Sequence, residues 1–227
     1  MLYRIPVVNI IGSEGNGIYG AAFNIYNIML VLSSYGLPMA VSKLVSARFT
    51  KKRYKSAAKV LRCSLMVAVC TGGIAALLVF FGASFIENVI YGGGLPGLAV
   101  PLRILAPTIF LVAILGVIRG FFQGQSTMIP TAVSQILEQI VNAIVSIAAG
   151  YGMMKAFASL PDVAAYGAAG STLGTAMGAL TAVLFMGFLY AVYTPTFNRL
   201  KRKDRHTENQ STGQICKIII YLSLIHI

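Results

Sequence analysis

The chain has 227 residues, of which 57% are hydrophobic and 11% charged, with a mean hydropathy of +0.78; ordinary soluble domains carry about 25% charged residues. So little charge cannot cover a water-facing surface, which excludes a soluble globular fold and makes the length a measure of membrane spans. The net charge of +12 is concentrated beside apolar runs, in Lys43 to Arg62 and Arg199 to Arg205, as in cytoplasmic loops of membrane proteins, and this argues against nucleic acid as a partner.

In chain order, Leu2 to Gly12 reads as the end of a span, closed by Gly12-Ser13-Glu14-Gly15; it is too short and too early broken for a signal peptide. A second apolar segment runs from Gly17 to about Ala47. Gly36-Leu37-Pro38 interrupts it, because proline lacks a backbone donor and clashes with the preceding turn, so a kink is expected there. Spans follow at Ala57 to Gly82, Leu102 to Phe122, Ile129 to Met154 and Gly167 to Tyr193. The connection Ala83 to Val100 has no Lys or Arg and is expected outside, as is Lys155 to Tyr166. Pro195 and the basic stretch are expected to form a cytoplasmic loop over residues 194–214. A last apolar run starts at Ile215 and stops after about 13 residues, too few to cross a bilayer. The chain is therefore expected to be a fragment, and Ser223 to Ile227 resembles a translated adapter remnant, so that His226 carries no functional weight. Placing both basic blocks, residues 43–62 and 199–205, in the cytoplasm lets every crossing between them alternate.

Ionisable groups inside apolar spans are costly and are functional candidates by default. Arg4 lies in the first fragment, Lys43 at the inner end of the second span, Arg103 and Arg119 near opposite ends of the fourth, and Glu138 inside the fifth. Lys43 and Arg103 also fit snorkelling toward headgroups. Arg119 and Glu138 are on successive antiparallel spans with Glu138 about two turns deeper, so an ion pair between them is stretched. Gln135, Glu138, Asn142 and Ser146 follow helical spacing and form one polar stripe. It either bonds helices together or lines a hydrated pathway, and Asn24 and Asn27 pose the same choice. Gly116, Gly120 and Gly124, like Gly170, Gly174 and Gly178, lay a smooth groove along one helix face, which suits close packing and is also compatible with sliding.

Cys63, Cys70 and Cys216 have no CxxC or histidine spacing and read as packing residues, with no metal or cofactor expected. The spans contain no phosphate loop with lysine, no HExxH, no paired aspartates and no Ser/His/Asp set, so an enzyme is not expected.

Four stretches carry a resemblance to a known family: Leu2-Tyr3-Arg4-Ile5-Pro6 with Glu14-Gly15-Asn16-Gly17-Ile18-Tyr19-Gly20; Ser34-Tyr35-Gly36-Leu37-Pro38 with Ala40-Val41-Ser42-Lys43-Leu44-Val45-Ser46; Ile118-Arg119-Gly120 with Phe122-Gln123-Gly124; and Ser134-Gln135 with Glu138-Gln139 and Asn142-Ala143. Together they resemble the stage V sporulation protein B type of polysaccharide-biosynthesis membrane protein. That type belongs to the exporter superfamily that also holds the lipid II flippases and the MATE drug exporters. The resemblance implies an all-α integral membrane helix bundle, the N-terminal lobe of a MATE/lipid II flippase-like fold in the bacterial plasma membrane. Residues 1–193 would be the lobe, with helix 1 partial and helices 2–6 complete, followed by the 194–214 loop and the start of helix 7 at 215–227. It also implies alternating-access flipping of a polyprenyl-diphosphate-linked saccharide with a coupling ion that the sequence does not identify.

Arginine's planar donor fork suits a diphosphate, and cations outnumber acids inside the spans. Arg4, Arg119, Glu138, Asn142, Asn24, Asn27, Lys43 and Arg103 are accordingly the cavity candidates, with Gly36 and Pro38 as hinge. The rival expectations are a MATE-type cation-coupled multidrug exporter and a non-transporting structural membrane protein.

Overall fold

The computed structural model describes residues 4–159, 162–205 and 211–225, the side chains of residues 4, 5 and 224 excepted. The described residues form seven α-helices: α1 (Arg4–Ser34), α2 (Leu37–Thr50), α3 (Tyr54–Phe85), α4 (Ala99–Gln123), α5 (Ile129–Ala156), α6 (Val163–Lys203) and α7 (Thr212–Ile225). A π-helical turn, Ile86–Ile90, continues α3. Among the described residues five stretches, Pro6–Thr50, Tyr54–Ile90, Ala99–Gln123, Ile129–Ala156 and Val163–Lys203, are long and apolar enough to cross a membrane, the number of complete spans expected from the sequence. Helix is the form these runs must take, because hydrocarbon offers no partner for a free backbone N–H or C=O.

The long first stretch is broken twice. At Gly12 the backbone has φ 71° and ψ −176°, a left-handed conformation that costs glycine little, so the first fragment and the second span meet at a kink inside α1. At Tyr35–Gly36 the helix stops and α2 restarts with Pro38 in its first turn, where proline's missing donor is harmless. The expected interruption at Gly36-Leu37-Pro38 is therefore a true break between two helices.

Two helix ends lie furthest from the sequence expectation. The third span was expected to end at Gly82, whereas α3 and its π-helical turn run on to Ile90, placing Glu87 where it meets the next helix. Its carboxylate accepts from the backbone N–H groups of Gly97 at 3.0 Å and Ala99 at 2.7 Å, filling donors at the start of α4 that the helix itself leaves unpaired. Negative charge also suits a helix N-terminus. Replacing Glu87 by alanine should lower stability by about 1–2 kcal/mol, read as earlier thermal unfolding in detergent, with Glu87→Gln recovering part of the loss.

The sixth span was expected to end at Tyr193 and pass into a loop, whereas α6 continues through Pro195 to Lys203. Packing explains the extension. Phe197, 1% exposed, stacks on Phe49 at 6.1 Å and on Tyr193 at 5.8 Å and meets Phe121 edge-on at 5.5 Å. Burying that ring offsets the one hydrogen bond that Pro195 removes. Beyond the helix, Asp204 is buried and accepts from the Lys55 N–H at 2.8 Å, so the acidic residue of the basic stretch caps α3.

The chain divides into two compact units. Unit 1 comprises Met1–Met29, Ile74–Phe110 and Ile136–Thr181; unit 2 comprises Leu30–Gly73, Leu111–Gln135 and Ala182–Ile227. The buried residues of unit 1 include Ala165, Ala168 and Ala169 of α6 and Leu102, Leu105 and Ile109 of α4. Unit 2 is built around Leu37, Val41, Val45, Phe121, Met186, Phe197 and Ile219.

Candidate functional site

A cleft in unit 2 lies where the helix break meets two further helices. Ser34 and Tyr35 end α1, Pro38 opens α2, Gly116, Arg119 and Gln123 come from α4, and Thr131 and Gln135 from α5; Leu30 and Val112 complete a cleft of about 240 Å³.

Small residues let the walls come this close. A Cβ built on Gly116 would stand 2.9 Å from Pro38 Cγ, one on Gly120 would stand 2.5 Å from the Pro38 carbonyl oxygen, and one on Gly124 would stand 2.8 Å from the Ser42 carbonyl oxygen. The glycine stripe of α4 is thus the seat of α2, the close-packing role expected for it.

Arg119 is half-buried in the wall and held from behind. Its Nε donates to Ser134 Oγ at 2.9 Å, and Ser134 Oγ, fully buried, donates to the Thr131 carbonyl oxygen at 2.8 Å. Gln123 Nε2 donates to Thr131 Oγ1 at 3.4 Å. A serine between the guanidinium and the backbone fixes the plane of the donor fork. The cleft lining therefore combines one cation, amides and hydroxyls and includes no carboxylate. Such a lining suits an anionic group with several acceptor oxygens.

The other sequence candidates fall elsewhere. Arg4 begins α1, but its side chain lies outside the described residues. Lys43 is exposed on α2, and Arg103 is exposed with Nη2 donating to Ser84 Oγ at 2.9 Å, near the end of α3. Glu138 is half-buried in unit 1.

Asn142 and Ser146 are buried against α6. Ser146 Oγ lies 2.9 Å from Asn142 Oδ1 and 2.8 Å from the Ser171 carbonyl oxygen, so its hydroxyl can serve either acceptor. Gly174 sits against Ser146, where an added Cβ would also come 2.6 Å from the Asn142 carbonyl oxygen, and one on Gly178 would come 2.7 Å from the Glu138 carbonyl oxygen. This part of the polar stripe bonds α5 to α6. By contrast Asn24 and Asn27 are exposed on an apolar helix. Within the described residues no group of three or more His, Cys, Asp or Glu could hold a metal ion.

In the sequence Ser34, Tyr35, Gln123 and Ser134 stand out only within the family resemblance and Gln135 within the polar stripe, while nothing singles out Thr131. The usable signal was the run of polar residues on both sides of the α4–α5 turn, which a tight turn brings together.

The described bundle defines an all-helical, multi-pass membrane protein. Its backbone is similar to the outward-facing conformation of a multidrug resistance MATE family transporter of the MOP superfamily, with a TM-score of 0.72 at 17% identity, covering 99% of this chain and 48% of that one. The profile of the polysaccharide biosynthesis protein family matches residues 1–214, and the chain belongs to that family. Among curated relatives from Bacillus subtilis (strain 168), lipid II flippase MurJ is 34% identical over 163 residues, 69% of this chain and 30% of its own length. Stage V sporulation protein B is 31% identical over 184 residues, 81% of this chain and 34% of its own length. The chain thus spans about a third of the length of these relatives.

Proposed function

We propose that this chain is the N-terminal lobe of a flippase that moves a polyprenyl-diphosphate-linked saccharide across the bacterial plasma membrane by alternating access, in the synthesis of an envelope polysaccharide. The observation that carries the reading is the carboxylate-free cleft in which Ser134 presents Arg119 beside the Tyr35–Gly36 break. The name of the MurJ relative adds to it by chemistry, since lipid II is a diphosphate-linked saccharide.

In this reading residues 1–193 form the lobe, the basic end of α6 leads into the connection that follows it, and α7 is the start of helix 7. Both basic blocks face the cytoplasm. Asn24 and Asn27, exposed on an apolar span, face a hydrated cavity shared with a second lobe, because an exposed amide facing hydrocarbon is costly. Arg119 takes the diphosphate, with Arg4 as a second cation, while the polyprenyl tail stays in lipid. Gly36 and Pro38 flex as the cavity changes sides. Moving a net charge across the bilayer would let the membrane potential contribute to the drive.

Competition binding to the complete protein tests the cargo class. A polyprenyl-diphosphate saccharide should displace a labelled copy of itself, whereas an organic drug cation at the same concentration should not. Displacement by the cation alone would favour a cation exporter.

A further inference from the structure

A second cleft in unit 2, separate in its lining from the first, has a volume of about 510 Å³. Lys55, Lys59 and Arg62 line it from α3, Lys201 from α6 and Thr212 from the start of α7. The α3 cations recur at four- and three-residue steps, so they lie on one helix face. Lys201 is held with its Nζ 5.2 Å from the centre of the Phe197 ring, which places its charge at the cleft. Asp204 caps the first turn of α3 through the Lys55 N–H and is not among the lining residues.

The same face of α3 changes character one turn further into the span. Met66 closes the cleft at 59% exposure, and Val69 at 45% and Cys70 continue the exposed strip. From Lys55 to Cys70 the helix rises about 22 Å, charged at one end and apolar along the rest. A soluble anion would use only the charged end. An occupant matched to the whole strip carries a phosphate at one end and hydrocarbon at the other.

We infer that this cleft, formed by Lys55, Lys59, Arg62 and Lys201 with Met66 below them, is a binding site for the phosphate headgroup of an anionic glycerophospholipid. Its acyl chain lies along Met66 and Val69. The site is independent of the transported cargo. Because it joins α3, α6 and the start of α7, its occupant ties together three helices at the end of the lobe where the chain continues into α7.

The test is electron spin resonance of the intact protein reconstituted in phosphatidylcholine with trace spin-labelled phosphatidylglycerol or spin-labelled phosphatidylcholine, at 0.3 M salt to suppress diffuse surface attraction. The motionally restricted fraction should favour phosphatidylglycerol by about fivefold or more, the selectivity that one or more basic groups supply at a membrane surface. Lys59→Gln/Arg62→Gln/Lys201→Gln should abolish that preference. Lys51→Gln/Lys52→Gln/Arg53→Gln, an equal charge change in the exposed turn between α2 and α3, should keep it. Equal selectivity in the two variants would overturn the site, as would absence of selectivity in the unaltered protein. Displacement of the labelled lipid from the unaltered protein by inorganic phosphate at comparable concentration would also overturn it, marking a soluble-anion site instead; this arm needs no variant to fold.

Discussion

Replacing Arg119 by alanine in the complete protein should slow translocation of a diphosphate-linked cargo by roughly 10- to 100-fold, the loss that goes with a charge-assisted hydrogen bond. The protein should still reach the membrane in normal amount, because Arg119 is half-buried at a cleft wall and is not among the core residues of unit 2. Ser134 would lose the Arg119 partner but still donate to the Thr131 carbonyl oxygen. Arg119→Lys keeps the charge but loses the planar fork and the Nε contact to Ser134 Oγ. It should be intermediate, and Ser134→Ala, which leaves the guanidinium charged but frees its plane, should be milder still. Initial rates of flipping at matched protein density give the ranking. A Lys variant as poor as the alanine variant would make geometry more important than charge, whereas full activity in all three would remove Arg119 from the site.

Gly120→Ala should destabilise the contact between α2 and α4. The new Cβ would stand 2.5 Å from the Pro38 carbonyl oxygen and 3.0 Å from Pro38 Cα, and backbone cannot rotate away as a side chain can. The start of α2 would have to lift off α4, at a cost of about 1–3 kcal/mol. Alanine in a helix otherwise gains up to about 1 kcal/mol over glycine, so the proper control is Gly187→Ala in α6, where nothing lies within 4 Å of the added carbon. Thermal unfolding in detergent should show Gly120→Ala less stable and Gly187→Ala unchanged or slightly more stable. Equal stability of the two would mean that the glycine stripe is not a seat.

Much of this architecture was legible in the sequence because lipid removes alternatives. A run of apolar residues with few charges has to be helical, so five spans could be counted, and Pro38 after Gly36 located the break between α1 and α2. Boundaries were less legible. The rule that proline ends a helix fails at Pro195 because Phe197, Phe49, Phe121 and Tyr193 reward the next turn, and that reward comes from residues far apart in sequence. Glu87 read as part of a loop because its partners, the N–H groups of Gly97 and Ala99, are ten and twelve residues on.

The polar positions divide the same way. Spacing placed Gln135, Glu138, Asn142 and Ser146 on one stripe, yet spacing alone did not tell which part meets another helix. The answer came from α6, where Gly174 and Gly178 let α5 approach until Asn142 and Ser146 are buried. Gln135 instead lines the cleft with Arg119. A periodic stripe can therefore serve packing along one stretch and a cleft along another, according to what the neighbouring helix presents.

The most direct measurement is flipping of a labelled polyprenyl-diphosphate-linked saccharide by the complete protein in sealed proteoliposomes, read by accessibility of the label to a membrane-impermeant enzyme. The account predicts protein-dependent exposure of the label that is suppressed by Arg119→Ala. Absence of exposure together with ion-coupled efflux of an organic cation by the same proteoliposomes would contradict it.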